Sequence, residues 1–182
     1  MTLILGLEHR GRVHMLGDRI SIDSEDGARI VRDPKIFTSG EWVFGVAGSW
    51  HVAGLVRFRL QPPRMARTAS PLEAGFELEN HIRRVLTAEG YTPRTDTEDT
   101  SWELLAGWRG TLFTLDSAFS TTRPADGVEA VGASLGVAAA RAALLAQKPF
   151  RSAPELVMRR AAQIAADGCA AVRGPFDYLS VG

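Results

Sequence analysis

The chain uses one arrangement of segments twice, and this arrangement limits the folds open to it: hairpin-linked apolar stretches come first, and two amphipathic helices follow. In each half, an Arg-Gly pair separates the two apolar stretches, and glycine at such a point favours a tight antiparallel hairpin. The predicted hairpin strands are residues 2–8 and 12–16 around Arg10-Gly11, and residues 103–108 and 111–115 around Arg109-Gly110. Because the helices are segregated from the strands, the pattern predicts an α+β fold of stacked antiparallel sheets flanked by helix layers, and not a parallel βαβ sheet.

The remaining segments complete this pattern. Apolar runs predict further strands, and apolar residues at helical spacing predict four helices. The predicted strands are 35–37, 42–48, 128–131 and 176–181, and the predicted helices are 49–60, 70–88, 135–147 and 153–166, the last opened by Ser152 and Pro154. Two polar stretches, 21–34 and 90–101, are predicted to be a loop and an exposed connector.

Length and charge exclude several classes of function. With 182 residues and 45% apolar content, the chain predicts a single domain spanning residues 1–182. It has 21 basic and 21 acidic residues, so nothing indicates a nucleic-acid or membrane partner. Its single cysteine, Cys169, excludes an intrachain disulfide and favours a cytoplasmic location.

The first apolar stretch is short and is interrupted by Glu8 and His9. No basic region precedes it and no cleavage pattern follows it, so we expect a buried strand and not a signal peptide. No window approaches the roughly 18–20 apolar residues that a membrane helix needs.

Thr2 lies directly behind Met1 and is a candidate nucleophile. If Met1 is removed, the threonine hydroxyl is joined by an α-amino group whose reference pKa is about 7.7–8.0, so the residue carries its own base. We expect removal, because threonine is small. A chain that keeps Met1 has no such amine, and Met-Thr alone is also an ordinary chain start.

Several short blocks, in the same order, resemble the β-type subunits of proteasomes, and most closely the peptidase subunit of the bacterial two-component ATP-dependent protease. Both belong to the N-terminal-nucleophile hydrolase superfamily. The blocks are residues 2–6 with Gly17-Asp18-Arg19, Pro34-Lys35-Ile36, residues 45–49, residues 129–132 running into the helix at 138–144, and residues 166–170. The resemblance implies a four-layer αββα sandwich and a threonine peptidase that cleaves unfolded polypeptides.

The resemblance also implies the catalytic roles. Thr2 would be the nucleophile, Lys35 would lower the pKa of its hydroxyl, and Asp18 would keep Lys35 charged and oriented. The backbone N–H of Gly48 would bind the oxyanion, and Asp167 would support the terminal amine. Each residue also has an ordinary structural interpretation: an ion pair of Asp18 with Arg19, a solvated lysine at a strand start, a strand-ending glycine, and a helix-capping aspartate.

Two departures from the family pattern bear on activity. The family has Gly-Ser-Gly where this chain has Gly132-Ala133-Ser134-Leu135-Gly136, so Ala133 takes the place of the serine. Only a shift by one residue would let Ser134 supply the hydroxyl near the amine. The usual Thr-Thr start is Thr2-Leu3 here.

The partners implied by the resemblance are a homo-oligomeric ring (hexamer or heptamer, single or stacked) and an ATP-dependent unfoldase or gating partner. No cofactor is expected, and the histidines lack zinc-ligand spacing. In the bacterial relative, backbone carbonyls at positions matching Ala166, Cys169 and Val172 can hold a monovalent cation, and the resemblance implies the same backbone site here. A buried, inert Cys169 is the ordinary alternative.

Three other functions stay open. The chain could be a ring-forming homologue without activity, which Ala133 favours, or a small-molecule amidase or acyltransferase on the same fold. It could also be an unrelated α+β binding module. For the substrate pocket, we expect walls from residues 21–33 and 47–53, with Trp50 and His51 at its border.

Overall fold

A computed structural model describes residues 2–23, 27–91 and 101–182, which form eleven strands and four helices. The strands are β1 (Leu3–His9), β2 (Arg12–Asp18), β3 (Ile20–Asp23), β4 (Gly27–Ile30), β5 (Ile36–Ser39), β6 (Trp42–Gly48), β7 (Trp102–Trp108), β8 (Thr111–Asp116), β9 (Thr121–Thr122), β10 (Val128–Gly132) and β11 (Phe176–Val181). The helices are α1 (Trp50–Phe58), α2 (Pro71–Ala88), α3 (Ser134–Ala146) and α4 (Pro154–Gly168).

The strands form two large antiparallel sheets. One has the order β10-β1-β2-β11 and the other the order β5-β6-β7-β8-β9, while β3 and β4 form a separate hairpin. Both Arg-Gly hairpin turns have positive φ at both residues, 51° and 73° at Arg10-Gly11 and 43° and 77° at Arg109-Gly110. Positive φ at both positions suits the right-handed twist of the flanking strands.

Three buried clusters show how the layers stack. The first lies between α1, α2 and the five-stranded sheet, with Trp42 and Phe113 at its centre. The second lies between the two sheets and includes Ile4 and Met15. The third packs the four-stranded sheet against α3 and α4 and includes Leu5. The chain is therefore an α+β, four-layer αββα sandwich, as predicted, and β1 is buried on both faces because Ile4 and Leu5 point to opposite sides of the sheet.

The starts of the helices differ in a way that matters for the sites below. Ser49 caps α1 by accepting a hydrogen bond from the Val52 amide at 3.3 Å. Ser70 and Glu73 form a capping box on α2. Helices α3 and α4 begin after Ala133 and Ala153, which have no side chain able to cap, so Ser152 does not cap α4 as its position had suggested.

The sequence-based prediction was wrong in three places. Within residues 21–34, predicted as a loop, β3 and β4 pair in the register Ile20↔Ile30 to Asp23↔Gly27, and their polar residues hid the alternation. Strand β9 has two residues, too few to show a period. Helix α4 continues to Gly168, so Asp167 lies within the helix and does not follow it. Of the predicted connector 90–101, residues 92–100 lie outside the described residues.

Length and apolar character decide whether any of the four helices could span a membrane. Within the described parts of the chain, none of them combines the length and the apolar character needed to cross a bilayer.

Candidate active site

Sheet pairing brings three buried polar residues to one end of the four-stranded sheet. Thr2 directly precedes β1 and is 6% exposed, and Asp18 is the last residue of β2 and is fully buried. Lys35 directly precedes β5 in the other sheet and is 5% exposed. The pairing of β1 with β2 sets Ile4 opposite Gly17. Thr2 and Asp18 therefore meet at the same edge, and the Leu3 amide donates to Asp18 Oδ2 at 3.1 Å.

Lys35 connects the other two side chains. Its ammonium donates to Thr2 Oγ1 at 2.5 Å and to Asp18 Oδ1 at 2.7 Å. It also donates to the backbone carbonyl of Ile20, at the start of β3. These contacts aim a cation at the threonine oxygen and place an anion behind that cation.

Burial works against both charges of this pair. It raises the pKa of Asp18 to about 6, although Lys35 and the Leu3 amide act in the opposite direction. It also lowers the pKa of Lys35, while Asp18 raises it. Both pKa values are thus shifted towards neutral pH from their ordinary values, as is typical of catalytic groups.

Gly48 ends β6 beside Thr2 in a conformation that only glycine adopts without strain. Its φ is +88°, and a Cβ atom there would lie 2.4 Å from the Ser101 carbonyl oxygen. Thr2 and Gly48 together line the two clefts described below.

We expect Gly48→Ala to lower the free energy of unfolding by about 1–3 kcal/mol, because the added methyl group meets the backbone and φ stays positive. Thermal denaturation measures the change. Gly54→Ala is the matched control, since a Cβ there meets no atom within 4 Å. Equal stability of the two variants would contradict this account of Gly48.

The backbone of Thr2 is held by the start of α3. The Ala133 amide donates to the Thr2 carbonyl at 2.7 Å. Gly132 has a φ of +121°, and a Cβ there would lie 1.9 Å from the same carbonyl oxygen. The Gly132 amide donates to Glu103 Oε2 at 3.0 Å. Main-chain contacts therefore position Thr2.

Ser134 and Asp167 are not part of this hydrogen-bonded group. Ser134 is the exposed first residue of α3, while the buried position next to Thr2 belongs to Ala133. Asp167 is exposed on α4 and accepts a hydrogen bond from Gln163 Nε2 at 2.7 Å. Among the described residues, neither side chain hydrogen-bonds to Thr2.

The segment predicted to offer carbonyl ligands begins in the last turn of α4, where Ala166 lies, and continues past the helix to Cys169 and Val172. The Cys169 carbonyl accepts a hydrogen bond from the Val172 amide at 3.0 Å. This segment packs on α3, where a Cβ at Gly136 would lie 2.4 Å from Val172. Across the described ranges, no three His, Cys, Asp or Glu residues are grouped as a metal site would need.

A cleft of about 290 Å³ opens on one side of Thr2. Its walls come from the segment before β5 and from one face of α1, and they combine aromatic and charged side chains. The lining residues are Thr2, Asp33, Pro34, Lys35, Phe37, Val46, Gly48, Ser49, Trp50, Ala53, Gly54, Arg57 and Phe58. Trp50 borders it as expected, whereas His51 does not line it.

Arg57 is the functional candidate in this cleft that sequence reasoning missed. Its guanidinium lies 4.7 Å from the centre of the Phe37 ring and donates to the Pro34 carbonyl. Burial lowers its pKa, and Asp33 partly offsets this effect. Ala53 lies in the predicted pocket wall, and Arg57 follows it by one helical turn, so both residues share a face of the helix. That spacing was the signal that could have placed Arg57 in the cleft.

A second cleft, of about 430 Å³, lies on the other side of Thr2. Glu103 and Asp116, which face each other across β7 and β8, give it an acidic wall. Ala133, Ser101 and Ser117 also line it.

Comparison with solved structures supports the fold class. HslV from Trypanosoma brucei is 24% identical, with 98% of both chains covered and a TM-score of 0.69. BPH from Thiobacillus denitrificans, solved in complex with epoxomicin, is 17% identical, with 99% of this chain and 98% of that chain covered and a TM-score of 0.79. Anbu from Pseudomonas aeruginosa, solved as a helical assembly, is 18% identical, with 98% and 80% covered and a TM-score of 0.71.

These likenesses establish the architecture: the chain has the proteasome-type N-terminal-nucleophile hydrolase fold. The resemblance inferred from the sequence blocks is thus confirmed at the level of the fold. No protein-family model and no curated protein matches the sequence.

Proposed function

We propose that this chain is a threonine-type endopeptidase subunit that cleaves unfolded polypeptides. The observation that carries the proposal is the contact of Lys35 Nζ with both Thr2 Oγ1, at 2.5 Å, and Asp18 Oδ1, at 2.7 Å. An oriented cation beside a hydroxyl near the chain start is the arrangement that nucleophilic attack by threonine needs.

The reaction would begin after Met1 is removed. The amine of Thr2 takes the hydroxyl proton, directly or through water, and Oγ1 attacks the carbonyl carbon of the substrate. Lys35 stabilises the developing alkoxide, and the Gly48 amide binds the oxyanion. The proton passes to the leaving amine, which gives an acyl ester on Thr2. Water then attacks this ester and restores the hydroxyl.

In this proposal, Asp18 keeps the charge of Lys35 in place. Ser134 and Asp167 remain predicted helpers of the amine, and the structure supports them less than it supports the Thr2–Lys35–Asp18 group. The cleft with Trp50 and Arg57 would hold the substrate side chain next to the cleaved bond.

A pH profile tests the role of Asp18. Activity should fall as pH falls below the pKa of the amine, about 7.7–8.0, because the base becomes protonated. It should fall more steeply below about 6, where Asp18 also takes up a proton and no longer stabilises the lysine charge. The logarithm of kcat/KM would then change from a slope of one to a slope of two. A slope of one down to pH 5 would contradict this role.

We further propose that the chain assembles into a homo-oligomeric ring in the cytoplasm, fed by an ATP-dependent unfoldase or gating partner. Both helix layers expose large apolar side chains that contacts between subunits would cover. They are Phe58, Leu72 and Phe76 on α1 and α2, and Leu135, Leu156 and Ile164 on α3 and α4. Native mass measures the assembly, and a stable monomer would contradict it.

The peptidase proposal is tested by two measurements on one preparation. Intact mass shows whether Met1 has been removed, and a panel of fluorogenic peptides shows whether the protein hydrolyses amide bonds. We expect the loss of one methionine together with turnover. A chain without Met1 that hydrolyses no member of the panel would refute the proposal.

One observation favours a second candidate, a ring-forming homologue without activity. Ala133 occupies the place where the family has a serine, and Ser134 is exposed on α3. Ala133→Ser separates the two candidates. If the wild type is inactive and Ala133→Ser gains turnover, the missing hydroxyl is the cause of inactivity.

A further inference from the structure

A cationic cleft lies at the end of the four-stranded sheet opposite Thr2. Strand β1 runs from Leu3 to His9, a length of about 20 Å at roughly 3.3 Å per residue, so this cleft is remote from the threonine. It measures about 310 Å³ and is formed by the β1–β2 turn and the segment leading into α4. Its lining consists of His9, Arg10, Arg12, His14, Phe150, Arg151, Ser152, Ala153 and Pro154, with no carboxylate among them.

Two of the arginines in this cleft have no partner among the described residues. In the part of the chain that the structure describes, Arg10 and Arg151 make no hydrogen bond or ion pair, and Arg12 bonds to Ser180. The equivalent arginine of the other hairpin, Arg109, pairs with Glu41 at 3.0 Å. Arg10 also has a φ of 51°, which is unusual for a residue other than glycine, asparagine or aspartate. The cleft thus concentrates positive charge that the protein leaves uncompensated.

His14 supplies a buried polar atom without a partner. The residue is 6% exposed, and its Nδ1 lies 2.7 Å from the Tyr178 hydroxyl. Its other ring nitrogen, Nε2, is buried and has no hydrogen-bond partner among the described residues. Burial lowers the pKa of His14, a backbone contact with His9 acts in the opposite direction, and the charges of His9 and Arg12 add to the lowering. Buried ring nitrogens normally have a hydrogen-bond partner, so a ligand that accepts or donates a hydrogen bond could supply the partner that Nε2 lacks.

The start of α4 adds to the same cleft. This helix has 15 residues and begins with Pro154 after Ala153, which provides no capping side chain. Pro154 has no backbone N–H, so the helix offers this cleft the positive end of its dipole, which favours an anion, and not an amide donor. Glu155 in the first turn pairs with Arg159 at 2.8 Å and does not line the cleft.

We propose that this cleft binds a small phosphorylated molecule through its phosphate group. A tetrahedral phosphate has several acceptor oxygens, which suit guanidinium groups arriving from the turn and from the segment before α4, near the positive end of the helix dipole. The volume of the cleft is at the lower end of the range for small-molecule sites, enough for a phosphate ester of modest size.

Isothermal titration with inorganic phosphate and with pyrophosphate tests the site on the full chain in its native assembly. We expect saturable binding of both anions, measured against sodium chloride at equal ionic strength. In the double variant Arg10→Gln/Arg151→Gln, the affinity should fall about tenfold or more, because two charge-assisted contacts are removed. Circular dichroism would verify that the variant is folded.

Arg123→Gln is the matched control, because Arg123 is also exposed and does not line this cleft. Its affinity for pyrophosphate should stay within about twofold of wild type, since a remote surface charge contributes little. An equal loss in Arg123→Gln would show general charge screening and overturn the proposal. Absence of saturable binding by the wild type, or unchanged affinity in the double variant, would also overturn it.

Discussion

Thr2→Ala lowers the rate of peptide hydrolysis by at least about 10³-fold, which we expect to be among the largest effects of any single substitution in this chain. The variant removes the hydroxyl oxygen that Lys35 contacts at 2.5 Å and leaves no other nucleophile in the proposed mechanism. Initial rates on a fluorogenic peptide measure the loss. The variant should still fold, because the Ala133 amide holds the Thr2 backbone and Lys35 keeps its bonds to Asp18 and Ile20.

Thr2→Ser is the matched control for this prediction. Serine keeps a hydroxyl next to the same amine, so we expect a rate within roughly tenfold of wild type. Intact mass of each variant is needed, since all three chains must have lost Met1 for the rates to be comparable. Undiminished turnover by Thr2→Ala would exclude Thr2 as the nucleophile.

Lys35→Met should lower both activity and stability. Activity falls by at least about 10²-fold, because the cation beside the reacting oxygen is gone. The free energy of unfolding falls by about 3–5 kcal/mol, because fully buried Asp18 loses its ion-pair partner. Peptide hydrolysis and chemical denaturation measure the two effects.

The double variant Lys35→Met/Asp18→Asn separates catalysis from folding. Asparagine carries no charge and can still accept the hydrogen bond from the Leu3 amide, so most of the lost stability should return. Activity should stay low, because no cation contacts Thr2. Recovery of activity together with stability would mean that Lys35 has only a structural role.

The fold was predictable from the sequence where segments are apolar and bounded by turns. Strand β6 has the predicted limits because a buried run lies between the Gly40 turn and the Ser49 cap. The β3–β4 hairpin was not predictable, since β4 has only four residues and is exposed along its whole length. Periodicity detects burial, and strands without burial leave no such signal.

The site was predictable only in part, for a related reason. Neither composition nor periodicity joins Thr2, Asp18 and Lys35, and the family resemblance named all three as a group. Their convergence depends on pairing between β1 and β2 and on the approach of the second sheet. The place of Arg57 in the cleft depends on how α1 packs, and the exposure of Ser134 depends on where α3 begins. All of these features depend on tertiary packing, which local sequence patterns do not reveal.

Main-chain contacts hold Thr2 in place, and under the proposed peptidase activity this offers a way to identify the natural substrates. Since the scaffold does not need the hydroxyl, the alanine variant should still admit polypeptides and retain them uncut. Crosslinking in living cells, followed by sequencing of the retained chains, would use that variant as a substrate trap. Natural targets could then be identified before any cleavage preference is known.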